Sequence, residues 1–455
     1  MSLARHLAHF VVGLGAGNIP ATAIERLRAC LLNGYGIALG GLDTPYYKVA
    51  GRAVIALDGE SANGATLLGD GRRTGLTGAV TANAALFHGR AQEDTCGTVH
   101  LGAVVIPMLT AMVEVKRYPM ERFLPALLAG YEVAGIFDRA YGSTTAPMGL
   151  RASILYGTLG AAAAAGRLMN LDEDRMASAL ANAASFTGGT LQSFNDGTDE
   201  WRYQVGIAAQ TGLRAAALAE AGSVSAPGAF EGKAGFVRAF VHKECDTDGL
   251  ISSLGRDWAV DRVTFKPYPV CAFNQTPVEA ALAMRKKLAG ERPAKVTVRM
   301  NRYETSYPGM LEYGPFNTVS GTLMSIPFCI AATLLYGVPD MRRMTTYNDE
   351  AIAKMIANIT VTTDPDVPNL STVIEVVTEK GAALRHDQRM TAADYAYDRP
   401  AVSQLIRRIG SEQRLPSATY DRLETFIDRL PNAEVAEVIG LFDTRLCQSI
   451  RQVAS

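Results

Sequence analysis

One polar run in the sequence brings acidic, hydroxyl and imidazole side chains close together along the chain. It reads Glu93-Asp94-Thr95-Cys96-Gly97-Thr98-Val99-His100 and lies between two apolar segments of helical character, Ala79 to Phe87 and Val104 to Val113. Such a run can supply a general base, an acid and hydroxyl donors to one site. The alternative is an ordinary connection between helices, in which the aspartate and the threonines only cap helix ends.

A second candidate is Lys266, in the segment Phe265-Lys266-Pro267-Tyr268-Pro269-Val270-Cys271. The two prolines, separated by one residue, exclude a regular helix and hold the chain extended. A lysine in such a segment can act as a base or bind a carboxylate. On spacing alone, a lysine that forms a structural ion pair is an equal alternative.

A third polar segment, Asp196 to Gln204, precedes a helical pattern that continues from Ile207 to Ala219. Arg202 in this segment can bind a carboxylate through two hydrogen bonds. It can equally cap the helix or pair with Asp199.

The other histidines offer weaker signals. His6, His9 and His88 are interpreted as structural, and His242 and His386 have no supporting cluster. The cysteines show neither a CxxC pair nor zinc-finger spacing, which predicts reduced thiols and no metal site; they are Cys30, Cys96, Cys245, Cys271, Cys329 and Cys447. The sequence contains no dinucleotide-binding, P-loop or serine-nucleophile motif, so no cofactor is predicted.

The bulk composition limits the class of protein. With 455 residues, two domains are expected. The 44 basic and 45 acidic residues nearly balance, which argues against nucleic acid or an anionic membrane as partner and favours a small molecule. Apolar stretches fall short of the roughly 20 residues that span a bilayer, and the start lacks a signal-peptide pattern. We therefore expect a soluble, cytoplasmic protein.

The pattern along the chain predicts a mainly α fold in two parts. Residues 1–262 are rich in Ala, Leu and Gly with helical signals, and 400–455 are helical again. Residues 263–399 mix strand patterns, Lys295 to Met300 and Thr372 to Thr378, with helices at Val278 to Leu288, Thr322 to Tyr336 and Glu350 to Asn358. We predict a large all-helical domain and a smaller α+β lid domain inserted before the C-terminal helices. The small residues of Ser153 to Met169 predict a buried helix that neighbouring backbones approach closely.

Six segments together resemble the MmgE/PrpD family, which includes 2-methylcitrate dehydratase, cis-aconitate decarboxylase and iminodisuccinate epimerase. They are EDTCGTVHLGAVVIPMLTA, GLRASILYGTLGAAAAAGRLMNLDEDRMASALANAAS, EWRYQVGIAAQTGLRAAALAEAG, FEGKAGFVRAF, FKPYPVCAFNQ and TLMSIPFCIAATLLYG, in the family's order. The resemblance implies a homodimer without metal or organic cofactor, an active site in the cleft between the two domains, and proton transfer next to a carboxylate.

The sequence departs from the family pattern at several polar positions. Ala91 stands where the dehydratase and decarboxylase members carry an aspartate, and Arg151 stands where many members have histidine. Trp201 and Gln204 replace a lysine and a histidine, whereas Arg202 is retained. The resemblance also retains Asp94, Thr95, His100 and Lys266.

These departures favour epimerisation over the family's other reactions. Inversion at carbon needs only two groups that remove and return a proton, whereas dehydration and decarboxylation need further acids. We predict His100 and Lys266 as that pair, with Tyr268 or Cys271 as substitutes, and Asp94 as a further catalytic group. Substrate binding is assigned to Thr95, Arg151, Arg202, Gln204 and Cys271. An amino-linked polycarboxylate such as iminodisuccinate is the predicted substrate.

Two alternatives stay open. One is a dehydratase or decarboxylase of a citrate-like or aconitate-like tricarboxylate. The other is a non-catalytic binding protein that keeps the fold.

Overall fold

A computed structural model describes residues 1–15 and 17–443, which are mainly α-helical. In chain order the α-helices are α1 (Leu3–Gly13), α2 (Ala21–Leu39), α3 (Pro45–Asp58), α4 (Leu76–Phe87), α5 (Leu101–Lys116), α6 (Phe123–Thr145), α7 (Ala152–Leu155), α8 (Gly157–Met169), α9 (Glu173–Phe186), α10 (Gln192–Asp196), α11 (Glu200–Glu220), α12 (Thr247–Ser252), α13 (Gln275–Leu288), α14 (Arg302–Thr305), α15 (Val319–Met324), α16 (Ile326–Tyr336), α17 (Met341–Met344), α18 (Glu350–Ala357), α19 (Ala392–Tyr395), α20 (Arg399–Glu412), α21 (Ser417–Asp428) and α22 (Val435–Ile439). The strands are β1 (Ala65–Thr66), β2 (Arg73–Thr74), β3 (Thr95–Cys96), β4 (Val263–Thr264), β5 (Pro293–Met300), β6 (Ile359–Thr363), β7 (Ser371–Thr378) and β8 (Ala383–Arg389).

The chain forms two compact units. The first comprises Met1–Thr190, Arg202–Phe265 and the part that begins at Tyr397; the second comprises Leu191–Trp201 and Lys266–Ala396. The predicted mainly α fold with a small sheet domain is confirmed. The domain limits inferred from sequence, 1–262 with 400–455 and 263–399, stay a prediction. They did not include 191–201 with the smaller part.

Helices α6 and α8 pack against each other in the first unit. A Cβ added at Gly160 of α8 would lie 2.6 Å from the main-chain oxygen of Gly130 on α6, so the close backbone approach predicted for this segment is confirmed. The predicted single helix is nevertheless two, α7 and α8, which meet at Tyr156. The Thr187 hydroxyl donates to the carbonyl oxygens of Ile154 and Leu155, which gives these carbonyls a partner outside the helix.

The predicted helix Thr322 to Tyr336 in the second unit is also divided, into α15 and α16. Pro327 has no N–H to donate to the preceding turn, so the chain begins a new helix there. The Ser325 side chain caps this helix by accepting from the Phe328 N–H at 3.0 Å.

The sheet of the second unit has the strand order β6-β5-β7-β8. Strand β5 pairs parallel with β6 and antiparallel with β7, and β7 pairs antiparallel with β8. Val296, Val298 and Met300 are fully buried, which confirms the predicted alternation. Helix α13 packs against β7 and β8.

The scarcity of strand signals in the first 260 residues agrees with the structure, where three two-residue strands occur among the described residues of that stretch. One of them, β3, pairs with β4 through Thr95 and Thr264. This pairing ties the polar run to a segment that follows it by more than 160 residues.

Within the described residues no helix has the length and apolar character to cross a membrane. Cys447 lies outside the described residues; the other five cysteines are free thiols.

Glu132 on α6 fixes the chain that leads into β4. Its carboxylate accepts the main-chain N–H groups of Ala259 at 2.9 Å and Val260 at 3.1 Å. Burial raises the pKa of Glu132 to about 7, although the two N–H donors act in the opposite direction. The site segment and its β4 partner therefore depend on a buried carboxylate that titrates near neutrality.

The stability of the protein should depend on pH through Glu132. The native state takes up a proton near pH 7, whereas the unfolded glutamate stays ionised down to its ordinary value of 4.5. Wild type should therefore gain stability over Glu132→Gln as the pH falls from 8 to 5, by up to about 1.4 kcal/mol per pH unit. Urea unfolding at a series of pH values measures this difference.

The control is Glu121→Gln, which removes an exposed glutamate just ahead of α6. Its stability should follow wild type at every pH. A constant difference between wild type and Glu132→Gln over the whole range would contradict the assignment.

Candidate active site

The polar run is a buried connection between α4 and α5. Helix α4 ends at Phe87 and His88 caps it, after which the chain turns through Ala91, whose φ of 57° is left-handed. Residues 88–96 are all buried. Cys96 and Val99 then exchange main-chain hydrogen bonds at 2.9 and 3.2 Å, and α5 begins at Leu101 with His100 as its N-cap. His88 and His100 stand at the two cap positions, so the aspartate and threonines of the run do not cap α4 or α5 as the alternative interpretation supposed.

Glu93 lies between two imidazole rings. Its Oε1 is 3.1 Å from Nδ1 of His88 and 2.8 Å from Nδ1 of His100, and the ring centroids are 5.1 Å apart. The side chains of Glu93 and His88 are fully buried, whereas 18% of the His100 side chain is exposed. One buried carboxylate oxygen thus orients two histidines, of which His100 alone reaches the surface.

Arg151 contacts the other nitrogen of His88. Its Nη2 lies 2.8 Å from Nε2 of His88, and its Nη1 donates to Oε1 of Gln204 at 3.1 Å. The Gln204 amide nitrogen in turn donates to the main-chain oxygen of Thr190 at 3.1 Å. Arg151 itself is 2% exposed, and these contacts are with residues of the first unit.

Burial dominates the electrostatics of His88. Desolvation holds the pKa of His88 well below its ordinary value of 6.5, and the charges of Arg151 and His100 add to this effect. Glu93 acts in the opposite direction without reversing it. His88 is therefore neutral at neutral pH.

The loop before His100 is held by Asp138 on α6. The Thr98 N–H donates to Oδ2 of Asp138 at 2.9 Å, and the Thr98 hydroxyl donates to Oδ1 at 2.5 Å. Burial raises the pKa of Asp138 to about 6 against the effect of these donors. The His100 N–H donates to Oγ of Ser153 at 3.2 Å, so the backbone on both sides of the loop is anchored.

Asp94 and Thr95, predicted as catalytic and substrate-binding, both contact other parts of the first unit. Oδ2 of Asp94 accepts from the Tyr131 hydroxyl at 2.5 Å. Burial and the Asp94 charge raise the pKa of Tyr131 well above its usual range, which keeps this phenol protonated as a donor. The Thr95 hydroxyl lies 2.7 Å from that of Thr264. Their roles toward a substrate stay predictions.

Arg202 is fully buried beside the same turn. Its Nη1 donates to the main-chain oxygens of His88 at 3.0 Å and Gly89 at 2.6 Å, and its guanidinium carbon lies 3.8 Å from the ring centroid of Tyr46. These contacts fix the end of α4 from which His88 projects. Substrate binding by Arg202 stays a prediction.

The remaining predicted site residues belong to the second unit. Lys266 is 4% exposed, and the Tyr268 hydroxyl donates to Oε1 of Glu279 at 2.7 Å. Cys271 is partly exposed, yet loss of hydration around its thiol raises its pKa to about 11, with Lys266 acting in the opposite direction. Cys271 is therefore protonated at neutral pH, which weakens it as a substitute base. The pairing of Lys266 with His100 stays a prediction.

Sequence reasoning missed Glu93 as the shared acceptor and read His88 as structural alone. The available signal was a histidine at a helix end followed five residues later by a glutamate inside the polar run. His88, Glu93 and His100 also form, among the described residues, a group with metal-ligand atoms within 4.8 Å of one another. Two ion-pair contacts with Glu93 account for this spacing, and the adjacent Arg151 charge disfavours a cation. The predicted absence of a metal stays a prediction.

The fold and the site together define a mainly helical, two-part protein whose first unit carries a histidine oriented by a buried carboxylate. The MmgE/PrpD N-terminal domain model matches residues 5–247 and the MmgE/PrpD C-terminal domain model matches residues 268–409. The chain belongs to the MmgE/PrpD family.

Curated relatives carry the names of decarboxylases. The chain is 26% identical over 356 residues to a cis-aconitate decarboxylase of Aspergillus terreus, which covers 72% of this chain and 71% of the relative. It is 25% identical over 354 residues to a cis-aconitate decarboxylase-like protein of Aspergillus oryzae, covering 73% of each. The human cis-aconitate decarboxylase is 28% identical over 318 residues, 68% of this chain and 65% of the relative.

The loop that carries His100 should tolerate no side chain at Gly97. Its φ is 62°, and a Cβ there would lie 1.9 Å from Oδ2 of Asp138. Gly71 offers a matched control, since its φ is 77° but an added Cβ meets nothing within 4 Å. Both alanine variants incur left-handed strain of about 1–2 kcal/mol.

Gly97→Ala should lower the free energy of unfolding by at least about 1 kcal/mol more than Gly71→Ala, because it also displaces a buried hydrogen-bonded carboxylate. Urea denaturation of the two variants measures the difference. Equal losses would show that Asp138 does not restrain this loop.

Proposed function

We propose that this protein is an acid–base enzyme that transfers a proton at a carbon atom next to a carboxylate of a polycarboxylic acid, with His100 as the group that carries the proton. The observation that supports it is the 2.8 Å contact between Nδ1 of His100 and the buried Glu93 carboxylate. A carboxylate on one ring nitrogen fixes the imidazole and supports its charged form, so that the other nitrogen can exchange a proton with a substrate.

The surroundings of His100 fit this role. The ring is partly exposed, whereas Glu93 and His88 behind it are fully buried. The backbone at His100 is fixed through Ser153 and, two residues earlier, through Asp138. A base held in one orientation lowers the entropy cost of reaching the reactive geometry.

The choice of a polycarboxylate rests on family membership. The relatives are named for cis-aconitate, which carries three carboxylates. Lys266 is retained in the Lys-Pro-Tyr-Pro segment and remains our prediction for the second proton-transfer group. In this role it is the second acid–base group of the reaction.

Inversion at the α-carbon of an amino-linked polycarboxylate such as iminodisuccinate is our finer proposal. The base removes the α-proton, the electron pair spreads into the neighbouring carboxylate, and an acid returns a proton to the opposite face. Ala91 and Arg151, which stand where other members carry titratable side chains, support the reaction with the fewest acids.

Decarboxylation is the second candidate, and the names of the relatives favour it. Here a carbon–carboxylate bond breaks, CO2 leaves, and the remaining electron pair is protonated at carbon. The two candidates differ in product, so one experiment separates them.

The purified protein is incubated in D2O with a single stereoisomer of iminodisuccinate and, separately, with cis-aconitate, while NMR follows the substrate and an electrode follows CO2. Inversion gives deuterium at the α-carbon and the second stereoisomer without CO2. Decarboxylation gives CO2 and one deuteron on carbon. If neither substrate exchanges or reacts, the proposal fails and a binding protein becomes the better interpretation.

His100→Gln should reduce turnover by about 10²- to 10⁴-fold, which is the usual contribution of a general acid or base. The thermal unfolding temperature should change little, because the side chain is partly exposed. His386→Gln is the matched control: this histidine lies on β8 and contacts Gln388. Turnover by His100→Gln at the wild-type rate would remove His100 from the mechanism.

A further inference from the structure

We propose that Arg151 is a positioning residue, which sets the proton arrangement of His100 through His88 and Glu93 and does not clamp the substrate. The inference rests on the proposed function, because it takes His100 as the proton-transfer group. It replaces the substrate-binding role that the sequence suggested for Arg151.

Nε2 is the nitrogen of His88 that faces Arg151. A guanidinium has five N–H donors and no acceptor. The 2.8 Å contact between Nη2 of Arg151 and Nε2 of His88 therefore requires a lone pair on that nitrogen. Nε2 of His88 carries no proton.

The missing proton on Nε2 fixes where the other nitrogen of the His88 ring carries its proton. A neutral imidazole without a proton on Nε2 carries it on Nδ1, which lies 3.1 Å from Oε1 of Glu93. His88 thus presents its Nδ1–H to the Glu93 carboxylate at ion-pair distance. The charged groups that act on His88 are Glu93, Arg151 and His100, and with full burial their balance keeps the ring neutral.

The same carboxylate oxygen of Glu93 also determines the proton position on His100. Oε1 of Glu93 lies 3.1 Å from Nδ1 of His88 on one side and 2.8 Å from Nδ1 of His100 on the other, so both rings turn this nitrogen toward the carboxylate. A carboxylate oxygen accepts two hydrogen bonds and donates none. His100 is consequently protonated on Nδ1, and in the neutral ring the lone pair is on Nε2, the nitrogen available to remove a proton.

Arg151 is itself held in place by hydrogen bonds. Gln204 donates to the Thr190 carbonyl, which turns its amide oxygen toward Nη1 of Arg151. The main-chain N–H of Arg151 donates to the main-chain oxygen of Gly189 at 3.2 Å. A guanidinium can serve Gln204 and His88 at the same time because its nitrogens form a rigid planar fork. Two of its nitrogens are thus engaged inside the unit.

The same short segment also fixes the position of His100. Ser153, two residues after Arg151, accepts the His100 N–H. The segment 151–153 therefore controls both where His100 stands and which of its nitrogens carries the proton.

Histidine tautomers can be measured directly in the resting protein. With ¹⁵N-labelled histidine, long-range proton–nitrogen NMR distinguishes the Nδ1–H and Nε2–H forms, and single histidine-to-glutamine variants assign the six residues. Wild type should show neutral His88 as the Nδ1–H form between pH 6 and 8, and His100, where neutral, as the Nδ1–H form.

Arg151→Met removes the donor to Nε2 of His88. Nδ1–H of His88 still faces Glu93, and the Arg151 charge that lowered the His88 pKa is gone. His88 should therefore gain a second proton, on Nε2, and become the cation, and kcat should fall at least about 10-fold with KM nearly unchanged; loss of the correct tautomer in serine-protease triads costs up to about 10⁴-fold. A substrate clamp would give the reverse, a raised KM with unchanged tautomers. Arg151→Lys keeps one donor and should restore part of the wild-type pattern, which keeps the test valid if the methionine variant folds poorly.

Arg167→Met is the matched control, because Arg167 donates to the Leu14 carbonyl in the same unit and contacts no histidine in this cluster. It should leave all histidine signals and kcat unchanged. An unchanged Nδ1–H form of His88 in Arg151→Met would overturn the inference whatever reaction the protein performs. Failure of wild type to react with polycarboxylates would instead count against the proposed function, with the tautomers still measurable.

Discussion

A carboxylate enclosed by a helical core needs hydrogen-bond donors, since an isolated buried charge is strongly unfavourable. Glu93 meets this need with two imidazole rings, which approach one of its oxygens at 3.1 and 2.8 Å. The arrangement gives the two histidines different surroundings. His88 is enclosed and neutral, and His100 has exposed surface. The other features of the site hold the segments that carry these three side chains.

Helix α6 supplies much of that support. Tyr131 donates to Asp94, Glu132 accepts from the chain before β4, and Asp138 accepts from Thr98. Tyr131 and Asp138 are seven residues apart, which places them on one face of the helix. One rigid helix therefore fixes the polar run at two points and its β4 partner at a third. Burial raises the pKa of both Glu132 and Asp138, which shows that the frame of the site is itself sensitive to pH.

Arg151 illustrates how a substitution in a family can change a role. A histidine at this position would be another titratable group, whereas the guanidinium stays charged and only donates. In this chain it contacts His88 and Gln204, both within the first unit. We interpret the exchange as a change in how His100, the proposed proton-transfer group, is oriented.

The sequence by itself determined the fold class, because hydrophobic periodicity is local. The buried alternation of Val296, Val298 and Met300 and the small residues of α8 were readable without a structure. The polar run likewise pointed to His100, whose catalytic role stays a prediction. The helix break at Tyr156 was less readable, because the Thr187 hydroxyl that contacts the carbonyls there lies about 30 residues away. The break at Ser325 had a local signal in Pro327, which the helix prediction overlooked. The family pattern supplied Lys266, whose relation to His100 no local signal describes.

Only the tertiary structure decided which neighbours His100 has. Arg151 and His88 are 63 residues apart, and Gln204 lies a further 53 residues along the chain. The proton arrangement of a histidine depends on the hydrogen bonds at its two nitrogens, and these come from side chains that folding brings together. No periodicity or spacing encodes such contacts. For that reason His88 looked structural in the sequence and Arg151 looked like a substrate clamp, whereas the folded chain joins them through Glu93 to His100.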